Sequence, residues 1–228
     1  MSNYKSCSEC HLKKKITREN YVQRAKILLT TLIFQNTVTT YTRNIKRLDA
    51  ECNADHLAQF LFKKEPSYSY RVECSCGYAN GRKSQLIDVN VDIILCGGLH
   101  LIQDAIDDCI TSERTCFKCK KKIASLTKYG PHLIIDTSIV TDNGYPNRDN
   151  IIVHKLASLK KIVKVGGKIY MLIGVVDYNI EIKHYVAYTL AGEFWSKYDD
   201  LIKKRETVNS KTIICPHLII YAICDKTE

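Results

Sequence analysis

Two groups of side chains in this chain are spaced so that they could do chemistry. The first lies in the run KHYVAYTLAGEFWSKYDDL, residues 183–201. Tyr185, Ala187 and Thr189 alternate with Val186, Tyr188 and Leu190, as in a half-buried strand. Ala191-Gly192-Glu193 reads as a tight turn and EFWSKYDD as the returning strand. Such a hairpin brings His184, near the start of one strand, beside Asp199, near the end of the next. A carboxylate so placed orients an imidazole and fixes its tautomer. A core histidine with an aspartate pair capping a turn is the plainer reading of the same residues.

The second group is made of cysteines. Cys74-Ser-Cys76 and Cys116-Phe-Lys-Cys119 are two close pairs separated by thirty-nine residues. Zinc takes four soft ligands at tetrahedral corners, and two such knuckles on neighbouring hairpins supply them. Cys96, His100 and Cys109 lie between the pairs as substitute ligands, although each suits a buried apolar position equally well. A third pair, Cys7 and Cys10 with His11, has no second half at suitable spacing and reads as part of an unstructured arm.

Bulk properties set the frame for both groups. The chain has 228 residues, 45% hydrophobic and 25% charged, which suits a soluble globular protein with one sizeable domain or a domain with an insert. No run approaches the length of a membrane helix, and MSNYKSCSECHLKKK lacks the apolar core of a secretory signal, so an intracellular location and no membrane partner are expected. Eleven cysteines in a reducing compartment point to metal rather than to disulfides. The net charge of +10 admits a nucleic-acid partner. However, the lysines fall in short groups around 13–15, 118–122 and 203–205 without interleaved aromatics, as on a solvated surface.

The elements that must position these groups follow in order. Residues 1–15 are expected to be a flexible basic arm. Residues 16–67 are expected to be helical, with one helix from Thr17 to about Phe34 and another pattern over 43–63. SYSYRVECSCG and SQLIDVNVDI read as strands, and residues 99–109 as a short helix. HLIIDTSIV, LKKIVKV, KIYMLIGVVDYNI and TIICPHLIIYAIC read as strands around the hairpin, with TDNGYPNRDN as a surface loop. Helices first, then a cysteine-bearing insert at about 68–125, then non-local strands, make an α+β protein.

In this order the features resemble the carboxy-terminal two-thirds of the ubiquitin-specific protease family of cysteine peptidases. The resemblance rests on the two cysteine pairs, the Pro-x-Leu-Ile-Ile strand, Y-x-L-x-G-V-V, HYVAYT, FWSKYDDL and the closing LIIYAI. It covers about residues 68–225. It implies a papain-like core of fingers, palm and a partial thumb, with residues 68–228 as fingers and palm and structural zinc on Cys74, Cys76, Cys116 and Cys119. It also implies that His184 is the general base, Asp199 its orienter and Asp200 the second acidic residue, with Tyr185 and Trp195 flanking the cleft. The implied partner is ubiquitin or a ubiquitin-like protein.

The chain departs from the family pattern in two places. No asparagine-and-cysteine box stands where the nucleophile belongs, and only Cys7 and Cys10 precede the insert as weak candidates, Cys52 lying too close to it. The glycine expected before the histidine is Lys183, which places a cation at the cleft mouth and disfavours the arginine-rich tail of ubiquitin. The readings are therefore a truncated copy, a pseudoenzyme that retains ubiquitin binding, or an unorthodox nucleophile at Cys7 or Cys10. The alternative from another class is a zinc-stabilised nucleic-acid-binding protein.

Overall fold

The computed structural model describes residues 19, 22, 38–42, 45–48, 53–111, 114–123, 125–138, 153–199, 201–202 and 205–224, with backbone only at 38–42, 45–48, 111 and 114. Cys7, Cys10, Cys52, Asp200 and most of the expected helix from Thr17 lie outside these residues. The chain divides into two compact units, Met1–Asn53 and Ala54–Glu228.

In the first unit, strands β1 (Val38–Thr42) and β2 (Ile45–Leu48) form an antiparallel hairpin. This corrects the helical reading of 16–67. The sequence VTTYT is dominated by β-branched residues, which lose rotamer freedom in a helix and fit a pleated strand. In the second unit, helix α1 occupies only Ala54–Leu61 of the stretch read as helical over 43–63.

The second unit is mixed α+β and mostly sheet. Strands β3 (Tyr68–Glu73) and β4 (Ala79–Ser84) come first, then a two-residue strand β5 (Ile87–Asp88). Helix α2 (Val91–Gly97) follows, and after a 3₁₀ turn at Leu99–Leu101 comes helix α3 (Ile102–Thr111). Short strands β6 (Arg114–Thr115) and β7 (Lys122–Ile123) precede β8 (Ser125–Tyr129) and β9 (His132–Asp136). Next are β10 (His154–Lys155), β11 (Ile162–Val165), β12 (Lys168–Asn179), β13 (His184–Ala191) and β14 (Phe194–Tyr198). The last strands are β15 (Glu206–Val208), β16 (Ile213–Ile214) and β17 (Pro216–Ile223).

SQLIDVNVDI is not one strand. The Asn90 side chain accepts the backbone N–H of Asp92, and this N-cap starts α2 where alternation had suggested that the strand continues.

The main sheet has eight strands in the order β15-β14-β13-β12-β17-β9-β5, with β11 beside the first half of β12. Strand β12 is long enough to pair β11 through Lys168–Met171 and β13 through Gly174–Asn179 on one edge, and β17 on the other. All these pairings are antiparallel, whereas β5 joins β9 in parallel.

One face of the sheet buries Leu133, Ile135, Tyr170, Leu172, Val175, Tyr188, Trp195 and Tyr221 against Ile94, Leu99, Ile102, Ala105 and Ile106 of the helical stretch. Apolar residues at 99, 102, 105 and 106 recur at helical spacing, so the stretch offers a single stripe to the sheet. The opposite face is roofed at one end by α1, whose Ala58 packs with Leu86, Ile134 and Leu218. Gln103 closes the outer edge of β11: its side-chain amide donates to the carbonyl of Lys164 at 2.9 Å and accepts that residue's N–H at 2.8 Å.

A smaller sheet, β4-β3-β8, and the β6–β7 pair carry the cysteines. The expected insert at 68–125 is therefore interrupted. Its middle, from Ile87 through α3, returns to the main sheet and its core.

Candidate functional site: a histidine–aspartate pair and a four-cysteine cluster

The β13–β14 hairpin forms as its alternation suggests. Leu190 pairs with Trp195 and Ala191 with Phe194, across a two-residue turn in which Gly192 takes φ +63. Left-handed backbone at this position is inexpensive only for glycine. With this register, His184 at the first position of β13 and Asp199 just past β14 meet: Nε2 lies 2.8 Å from Oδ1. Both side chains are largely buried, at 17% and 11% exposure.

Oδ1 of Asp199 also accepts the backbone N–H of Leu201 at 3.1 Å, and Oδ2 lies 3.3 Å from Nζ of Lys197. The hydrogen bond to His184, joined by those from Leu201 and Lys197, outweighs burial and holds the Asp199 carboxyl below its ordinary range. A carboxylate that stays ionised accepts the Nε2 proton and so selects the tautomer with the Nδ1 lone pair available for base chemistry. Lys197 was missed from the sequence, although its signal was legible: two residues before Asp199 on one strand, it shares that residue's face.

The two neighbouring aromatics lie on opposite faces of the sheet. Trp195 is 4% exposed and packs in the core with Tyr188 and Leu190, so it supports the hairpin from within. The reason is parity. Trp195 shares its face with Asp199, but four residues further into the sheet, where that face is covered. Tyr185 points to the opposite face, where its hydroxyl lies 3.0 Å from Nδ1 of His217 and 3.5 Å from the N–H of Ala54 at the start of α1.

His217 is a second residue that the sequence hid, inside the apolar string PHLII. It is 4% exposed, its Nε2 has no partner among the described residues, and burial lowers its pKa against the pull of Asp136 and Asp55. Asp177 sits one strand over from the hairpin, opposite Val186. It accepts the N–H of Cys215, and burial raises its pKa to about 6.

The four cysteines of the two pairs come together. Their sulfurs all lie within 4.8 Å of one another, with Cys74 and Cys119 at 3.5 Å and Cys76 and Cys116 at 3.6 Å. A tetrahedral ion held by sulfur at about 2.3 Å sets its ligands about 3.8 Å apart, so the cluster could hold such a metal. Both knuckles are built alike. Cys74 N–H donates to Tyr78 and Gly77 N–H returns to Cys74. In the other turn, Cys116 donates to Lys121 and Lys120 returns to Cys116. The residue after the second cysteine is left-handed in both, Gly77 at φ +82 and Lys120 at φ +61. Burial works to raise the Cys116 thiol, but N–H groups of Cys119 and Lys118 aimed at its sulfur outweigh this and bring it to about 6.

The sheet that carries these turns has little core of its own. Among the described residues of β3, β4 and β8 only Val72 is buried. A sheet so poor in buried apolar surface depends on a staple. Cys96 is exposed and stands outside the cluster, as do His100 and Cys109.

No family model matches the chain, and no curated protein matches it. Among solved structures it is similar to the SAGA deubiquitinating module. In the structure of the Ubp8–Sgf11–Sgf73–Sus1 module the match has 16% identity and a TM-score of 0.43, covering 71% of this chain and 40% of that one. In the same module bound to monoubiquitin the values are 17% identity, a TM-score of 0.42, and coverage of 78% and 43%. In the module bound to ubiquitin aldehyde they are 15%, 0.36, 71% and 41%. The chain thus spans about two-fifths of the length of the chains it matches. Among the described residues no helix is long and apolar enough to cross a membrane.

Proposed function

We propose that residues 68–228 form a ubiquitin-specific-protease-like domain that binds ubiquitin or a ubiquitin-like modifier through fingers and palm. The observation that carries this reading is the His184–Asp199 bond at 2.8 Å, made on a hairpin whose sequence, HYVAYT to FWSKYDDL, resembles that family's histidine motif. The cysteine cluster supports it: Cys74, Cys76, Cys116 and Cys119 would hold zinc, which supplies structural cross-linking and no catalytic step.

In this reading His184 is a base without an identified nucleophile. Asp199 orients Nε2, and Nδ1 is the nitrogen that would take a thiol proton. A free cysteine is only a few per cent ionised at neutral pH and depends on such an imidazole. Asp200, as the second acidic residue, and Cys7 or Cys10, as unorthodox nucleophiles, keep their proposed roles from the resemblance alone. The expected behaviour is binding with impaired or absent isopeptidase activity.

Ubiquitin bearing a thiol-reactive carboxy-terminal group tests both parts. Reversible binding at micromolar concentration without a covalent adduct is expected. An adduct that disappears with Cys7→Ala or Cys10→Ala overturns the impaired-enzyme part. Failure to bind ubiquitin and ubiquitin-like proteins at high micromolar concentration overturns the whole.

A further inference from the structure

Among the described residues, the face of the main sheet that α1 roofs at one end lies open at the other. Ile169, Met171 and Ile173 alternate along β12 and point outward, and on β11 Ile162 stands directly opposite Met171 and Lys164 opposite Ile169. Their exposures are high for such residues: 47% for Ile162, Ile169 and Met171, and 43% for Ile173. The intervening residues of the same strand, Tyr170 and Leu172, are in the core, so the strand is apolar on both faces. A strand with one solvated face normally alternates apolar with polar, and a contiguous apolar patch marks an interaction site.

The same face continues into the covered part. Past a register shift near Ile173, Val176 packs into the cluster beneath α1. Three side chains at two-residue steps span about 13 Å, which suits apolar residues on two turns of an amphipathic helix lying along the stripe.

Charge selects the occupant. Between Val153 and Val176 the sequence holds five lysines, at 155, 160, 161, 164 and 168, and no acidic residue. All five are exposed; Lys164 stands on the open face itself, whereas Lys168 pairs with buried Val165 and its ammonium donates to the carbonyl of Tyr129. A second copy of the chain would set this lysine border against itself, and the first fifteen residues, with four lysines and one glutamate, carry the wrong sign. We infer that the open face of β11 and β12 is a docking surface for an acidic amphipathic helix of a partner protein. Its apolar side would lie on Ile169, Met171 and Ile173, and its carboxylates would lie toward Lys160, Lys161 and Lys164. The backbone edge beside Lys164 is occupied by Gln103, so the partner comes onto the face rather than adding a strand. This inference does not rest on the protease reading.

Two synthetic helical peptides with one leucine face, and a polar face of glutamate in one and lysine in the other, test it by fluorescence anisotropy with the full chain. The glutamate peptide is expected to bind, more weakly as salt rises, and the lysine peptide not to bind. Met171→Glu, and separately Lys160→Glu with Lys161→Glu and Lys164→Glu, should each weaken binding by at least about tenfold. These positions are exposed, and unchanged circular dichroism melting confirms that the variants fold; Met171→Ser with Ile173→Ser serves if Met171→Glu does not. Equal binding of both peptides, binding of neither, or binding that survives the substitutions overturns the proposal. So does a wild-type dimer in sedimentation that Met171→Glu separates, since a second copy then occupies the face.

Discussion

The cysteine cluster and the histidine–aspartate pair are both assemblies of polar side chains brought together from distant positions, and they are held in opposite ways. The cluster sits on a sheet with almost no core, so a metal held there would hold the neighbourhood together. The pair sits at the end of a hairpin anchored by Trp195, Tyr188 and Val186, so its neighbourhood holds the chemistry. The first is stability made from ligands, and the second is geometry made from packing. The two respond differently to damage.

The largest effect is expected from the cluster. Cys116→Ser together with Cys119→Ser should remove a bound zinc, one per chain by metal analysis, and lower stability by about 3 kcal/mol or more. That corresponds to roughly 10 °C in the thermal transition. A stable, zinc-free wild-type protein would break the comparison.

Trp195→Ala should cost a similar ~3–5 kcal/mol through the cavity it leaves, with zinc content unchanged. A mild effect on stability, with ubiquitin binding lost instead, would give Trp195 a part in binding.

The two aspartates near the hairpin have opposite signs. Burial raises Asp177 to about 6, above its unfolded value, so its charge costs the fold stability at neutral pH, and the cost is relieved as pH falls from about 6 toward 4. Asp177→Asn should therefore stabilise the protein by about 1–2 kcal/mol at pH 7 and flatten that part of the pH profile in urea unfolding. The pKa of Asp199 is depressed, so its contribution is present above the ordinary carboxyl range and is lost as pH falls below it. In Asp199→Asn the stability should fall less steeply in that acid range than in the wild type.

The smallest effect compares the two knuckles. Lys120 holds a left-handed backbone where the other knuckle has Gly77, and Lys183 does the same before His184. Lys120→Gly and Lys183→Gly should each gain up to about 1 kcal/mol, and Gly77→Ala should lose a similar amount. The left-handed turn before His184 also gives a physical reason for a glycine at that point in the histidine motif.

How far the sequence disclosed this molecule varied with the range of the interactions. The hairpin from His184 to Tyr198, the strand from Lys168 to Asn179 and the cysteine quartet were legible, because alternation, a glycine turn and paired thiols are local signals. The β1–β2 hairpin was not, since the helical pattern over 43–63 takes in its second strand and two short strands carry little period of their own. The break at Asn90 was overridden by the alternation of Leu86, Asp88 and Asn90 with Ile87, Val89 and Val91. The parallel pairing of Ile87–Asp88 with Ile135–Asp136 left no trace, because two residues carry no period and their partner is distant in the chain. His217 was hidden because a buried polar side chain in an apolar run looks like the run.

That short parallel pairing has a consequence for how the molecule comes apart. The thirty-nine residues between Cys76 and Cys116 add β5 to the edge of the main sheet and pack α2 and α3 into its core before returning to the second knuckle. A metal closing the quartet would therefore tie a loop whose middle is packed into the core, and the cysteine-bearing sheet could not fray alone while the clasp is shut. Opening at β5 and opening at the cysteines become one event. The slowest-exchanging amides along β9 should then report metal at the four cysteines.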